Sequence, residues 1–113
     1  MSGTNGNRLH PLVIHLVLTH HWFDEMVAGR KDVEYRAITP HWTRLIWDRR
    51  DRITHARFSR AYTSNTIERR VLFVSRGECP YDGWGGEYYR LHLDSFDVDN
   101  VDLNLFRESY STS

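Results

Sequence analysis

The sequence predicts an α+β domain built on a small, curled β-sheet or barrel of about five to six mostly antiparallel strands with two short helices. Two observations carry this reading. Apolar residues recur at helical spacing in only two short stretches, while strand-like alternation dominates the rest. The elements also run strand, helix, strand, helix and then three strands in succession, and such a run of consecutive strands favours an α+β arrangement. A chain of 113 residues makes one domain, long enough to bury a single core without staples.

The chain starts polar and rich in Gly and Asn, so residues 1–10 are read as a disordered leader and residues 11–96 as the domain. Val13 to Leu18 is β-branched and apolar on both alternating sets, which suits a strand covered on both faces, with His15 inside the core or barrel. Thr19 caps a helix from about His20 to Ala28, in which Trp22, Phe23, Met26 and Val27 recur, and Gly29 ends it. Asp32 to Ala37 alternates Val33, Tyr35 and Ala37 against Glu34 and Arg36, the period of a strand with one polar face. Thr39-Pro40 is a cap followed by a first helical position, and Trp42, Leu45 and Ile46 extend that helix to about Trp47. Trp22 and Trp42, at helical spacing, are assigned to the core. The charged run Asp48 to Arg52 is a solvated turn.

Ile53–Tyr62 and Ile67–Arg76 are strands joined by a link of hairpin length, Thr63 to Thr66, and are expected to pair antiparallel. Gly77 to Gly86 is an irregular loop carrying Tyr81 and Trp84. Glu87 to Leu93 closes the sheet, and residues 97–113 form a further edge strand or a tail.

Fifteen acidic residues balance fifteen basic ones, so a strong non-specific grip on nucleic acid is not expected. The arginines nevertheless gather between Arg44 and Arg76 and the acids near the C-terminus, which allows a positive groove on a neutral protein. The longest apolar run, Leu12 to Leu18, is too short to cross a bilayer, and no secretory signal pattern opens the chain, so a cytoplasmic location and no membrane partner are expected. Cys79 is the single cysteine, which permits neither an internal disulfide nor a thiolate zinc site on its own. Seven histidines include no His-x-x-x-His pair, so neither a metal nor a cofactor is expected. A monomer is the simplest oligomeric state.

Among fifteen Lys and Arg residues only Lys31 is a lysine, and it lies in Gly29-x-Lys31-x-x-Glu34-x-Arg36, at a helix exit. An ammonium kept in a chain that otherwise uses guanidinium marks a point charge with proton or phosphate chemistry available to it. Glu34 and Arg36 share one strand face, and Lys31 can swing to join them because the chain is leaving a glycine. If that face lines a cleft, Glu34 orients the lysine and Arg36 forks onto a phosphate. Tyr81 and Trp84, on a glycine-rich loop, are candidates for stacking on a base, with Arg60 and Tyr62 at a strand end as further contacts.

This motif, entered from a short helix with a Trp22-Phe23 pair, resembles that of the ASCH family of the PUA-like barrel superfamily. The resemblance runs from about Leu16 to Leu93 and includes Trp84-Gly85-Gly86-Glu87 before the last strand. It implies a PUA-like barrel with a cleft around the motif that binds RNA or a nucleotide. Lys31 would then meet a phosphate or activate a catalytic group, and Glu34 and Arg36 would bind substrate or fix each other. Some members of the family cleave RNA, and one branch deacetylates N4-acetylcytidine using a threonine three residues after the lysine. Here that position is Glu34, and a carboxylate does not replace a hydroxyl in acyl transfer. Glu68, Glu78 and Glu87 are the nearest candidates for that branch's catalytic glutamate.

The leading expectation is therefore binding of single-stranded RNA or a nucleoside. One alternative is an enzyme of the same fold, a ribonuclease or a pyrimidine amidohydrolase with Lys31 and Glu34 as its acid/base pair. Another is a protein-interaction adaptor working through the residues after Phe96.

Overall fold

In the computed structural model, which describes residues 10–94, the chain passes from Pro11 into strand β1, Leu12–Leu18. The expected leader, apart from His10, and the expected strand or tail over 97–113 lie outside the described residues. Ile14, Leu16 and Leu18 are buried, whereas His15 and Val17 are exposed. The expectation of a strand covered on both faces, with His15 inside, is thus corrected. β1 is the edge of the sheet, and its second face opens onto a surface groove.

Helix α1, His20–Val27, begins where Thr19 Oγ1 accepts from the Trp22 amide at 3.4 Å and buries Phe23, Met26 and Val27. Gly29 follows at φ +82°, a left-handed conformation that glycine adopts without strain and that turns the chain toward strand β2, Val33–Ala37. Thr39 caps helix α2, Pro40–Leu45, accepting from the Trp42 amide at 3.2 Å. Instead of running on through Trp47, the chain tightens into a separate 3₁₀ turn, Trp47–Arg49. Ile46, fully buried at the break, anchors this segment to the core. Trp47 stacks on Tyr89 at 5.3 Å, and the Tyr89 hydroxyl meets Thr43 Oγ1 at 2.5 Å.

Strands β3, Ile53–Arg60, β4, Thr66–Glu78, and β5, Glu87–Leu93, complete a five-stranded sheet of order β1-β3-β4-β5-β2. β3 and β4 form the expected antiparallel hairpin, and β5 pairs antiparallel with both β4 and β2. β1 joins β3 in parallel, the pairing that requires the long crossover through α1, β2 and α2. β4 runs two residues beyond its expected end at Arg76. Its first half pairs with β3 and its second with β5, with an irregularity between Val71 and Phe73 where the strand bends. The sheet thereby curls into a mixed half-barrel around Phe58, Leu91, Met26 and Ala56, all fully buried. The barrel is not closed by strand pairing: β1 and β2 are its two edges.

Candidate functional site

The open seam between those two edges holds the motif. β2 inverts the usual order of polarity. Glu34, on its charged face, is buried at 4% exposure, whereas Ala37 on the apolar set is exposed. A carboxylate is kept out of water only when its charge and lone pairs are matched, and here two cations match them. Lys31 Nζ lies 3.2 Å from Glu34 Oε1, while Arg36 Nε and Nη2 lie 2.8 and 2.7 Å from Oε2. Lys31 is itself 4% exposed. Its ammonium also donates to the Val33 carbonyl at 3.0 Å and to the Tyr81 hydroxyl at 3.4 Å, so all three of its hydrogens have acceptors within the protein. Three rings complete the enclosure, with Nζ 4.9, 5.3 and 5.5 Å from the centroids of Trp22, Tyr81 and Tyr35.

The loop that delivers Lys31 is fixed from both sides. Arg30 pairs with Glu25 on α1 at 2.8 Å, and this guanidinium holds the Glu25 carboxyl below its ordinary pKa, chiefly by hydrogen bonding. On the other side buried Arg69 of β4 donates to the Lys31 carbonyl at 2.7 Å, to Asp32 Oδ1 at 2.9 Å and to the Asp94 carbonyl. Arg69 was not singled out in the sequence, where it is one member of an Arg-Arg pair in a strand.

Arg36 spans the seam. Its Nη2 donates to the Val17 carbonyl on β1 at 3.0 Å, and its guanidinium carbon lies 5.0 Å from the Trp42 ring centroid. Its side chain keeps 17% exposure, and Nη1 makes no hydrogen bond among the described residues. Two cations facing one carboxylate leave a single positive charge uncompensated in this cluster.

Above the cluster is a cleft of about 300 Å³, lined by Thr19, Trp22, Lys31, Glu34, Arg36 and Trp84 among others. That is the lower end of the range of ligand sites and suits one planar heterocycle with its sugar. A second cavity of about 510 Å³ adjoins it, sharing Val17, Leu18, Thr19 and Arg36, and is bounded beyond them by His15, Trp42, Ala61 and Tyr62.

Lys31, Glu34 and Arg36 converge as the motif spacing implied. Trp84 lines the first cleft and Tyr62, at 93% exposure, the second. Tyr81 lies behind Lys31, stacked on Trp22 at 4.7 Å and edge-on to Tyr35 at 5.4 Å, so it supports the wall rather than forming the lining. Burial, with the Cys79 thiol and the Tyr81 phenol nearby, raises the Tyr35 phenol above its ordinary pKa. Arg60 bonds Asp24 through Nε and Nη2 at 3.0 and 3.2 Å, tying β3 to α1, and is not among the residues lining either cavity. Glu68 and Glu87 pair with Arg57 and Arg76 on the outer surface, and Glu78 is exposed; none of the three lines the cleft.

Trp22 and Trp42, expected in the core, do pack against it, but they are half-buried and also line the cavities. Helical spacing reports which side of a helix faces inward, not whether a residue at the border also edges a groove. Ala61, at φ +51°, is the one non-glycine residue with positive φ among the described residues, and its amide donates to the Leu18 carbonyl at 2.7 Å. This strained residue projects Tyr62 from the end of β3. Among the described residues no cluster of three or more His, Cys, Asp or Glu is arranged to hold a metal, and no helix is long and apolar enough to cross a membrane. No family model, curated protein or solved structure matches the chain.

Proposed function

We propose that this protein is an ASCH-like, PUA-like domain that binds single-stranded RNA or a nucleoside in the seam between β1 and β2. The observation that carries the reading is a buried Lys31–Glu34–Arg36 cluster flooring a cleft of about 300 Å³ between Trp22 and Trp84. Aromatic walls offer stacking to any base, and the floor supplies the polar edge contacts. The lone pairs of Glu34 not used by its cations accept from base N–H groups, and Arg36 Nη1 donates to a phosphate or carbonyl oxygen. Unstacked bases alone expose both face and edge to such a site, which favours single strands over duplex. With its hydrogens already satisfied, Lys31 acts as the organiser of Glu34, and of the two cations expected to meet a phosphate Arg36 is the one left to do so.

The test is titration of the purified chain with ribonucleosides, ribonucleotides and short single-stranded RNA at low salt, followed by tryptophan fluorescence. Binding is expected, and Trp84→Ala should weaken it about 5- to 100-fold, the worth of one stacked base. No binding by any of these ligands overturns the proposal. Recovery of the ligand for mass analysis distinguishes binding from turnover: a changed mass makes the protein an enzyme.

A further inference from the structure

The two cavities share one boundary, and the chemistry of that boundary narrows the ligand. On one side lie Trp22 and Trp84; on the other lie His15, Trp42 and Tyr62. Between them stands Arg36, which lines both cavities and is the more exposed cation of a cluster that holds two cations to one carboxylate. An aromatic compartment, a guanidinium and a second aromatic compartment repeat in order the parts of a dinucleotide: base, phosphodiester, base. We infer that the ligand is a single strand of at least two nucleotides, its linking phosphate on Arg36 and its second base in the compartment of Trp42 and Tyr62. This rests on the nucleic-acid reading above.

Three features of the second compartment fit that occupant. Tyr62 is 93% exposed, so its ring has no packing role in the unliganded fold. The ring is nevertheless presented from a defined place, because Ala61 is held in a left-handed conformation by its bond to the Leu18 carbonyl. The larger cavity, about 510 Å³, also has room for a second nucleoside. A lone nucleoside would leave this compartment empty, and its affinity would gain nothing from Tyr62.

The experiment compares ribonucleoside 3′- and 5′-monophosphates with dinucleoside monophosphates, which add a second nucleoside through a phosphodiester, on the intact chain. The best dinucleotide is expected to bind about 5- to 100-fold more tightly than the best mononucleotide, as one additional stacked base provides. In Tyr62→Ala that ratio should fall toward one, whereas Tyr62→Phe, which keeps the stacking face, should preserve it. Circular dichroism confirms that both variants fold. A wild-type ratio near one overturns the inference while leaving the single-nucleotide reading intact, and a ratio unchanged in Tyr62→Ala overturns the placement of the second base. Failure of both ligand classes to bind overturns the inference together with the reading beneath it.

Discussion

Replacing Glu34 by Gln keeps the shape of the side chain and removes the one negative charge between two cations. In the native fold that carboxylate lies 3.2 Å from the Lys31 ammonium and 2.7 Å from the Arg36 guanidinium. Lys31 is 4% exposed with its hydrogens committed to partners inside the protein, so it recovers little hydration when its counter-charge is lost. Breaking a buried pair by removing one partner costs about 3–5 kcal/mol, because a charge is left buried and uncompensated. Arg36, at 17% side-chain exposure, recovers part of its hydration and adds less, about 1 kcal/mol or below. The expected loss for Glu34→Gln is therefore about 3–5 kcal/mol, a large share of the stability of a domain this size. Urea denaturation followed by circular dichroism measures it, with an unchanged slope confirming that the transition is comparable. Lys31→Met in the same background should recover part of the loss, since the double variant leaves no unpaired ammonium. A Glu34→Gln loss under about 1 kcal/mol, or strict additivity in the double variant, would refute the description of the cluster as a buried, mutually dependent unit.

Two further outcomes follow from the local geometry. Ala61→Gly relieves a left-handed strain of about 1–2 kcal/mol but adds unfolded-state freedom of about 0.4–1 kcal/mol, so a net stabilisation of about 0.5–1 kcal/mol is expected by thermal or urea unfolding; destabilisation would show that Ala61 is not strained. His92 is held below its ordinary pKa of 6.5, first by burial and then by Arg90, so the unfolded chain binds its proton more readily than the native one. Stability should accordingly decline as pH falls through about 6.5 and toward the lower native value. His92→Gln should remove that component, and an identical acid profile for the variant would exclude His92 as its source.

Local signals carried much of the reading from sequence. Thr19 and Thr39 each satisfy the amide three residues on, which is why both helix starts are legible. The convergence of Lys31, Glu34 and Arg36 follows from a left-handed glycine and a two-residue strand period. What could not be read was non-local. Nothing in Leu12–Leu18 specifies that its partner is the parallel β3, or that no layer packs over the face that carries His15 and Val17. The inward turn of the polar face of β2 was invisible for a similar reason. Alternation gives two faces, and only tertiary contacts with Lys31, Val17 and Trp42 decide that the charged one faces the seam. Arg69 had no local mark, because its partners at Lys31, Asp32 and Asp94 come from distant parts of the chain.

The Arg36 bond to the Val17 carbonyl has a mechanical consequence. It joins the two edge strands that the sheet does not pair with each other, so a side chain does at the seam what ladder hydrogen bonds do elsewhere. An anion drawn to that guanidinium competes with the latch or braces it, and either outcome changes how freely β1 and β2 separate. Amide exchange along the edges of β1 and β2 that face the seam is therefore expected to respond to an anion held at that guanidinium.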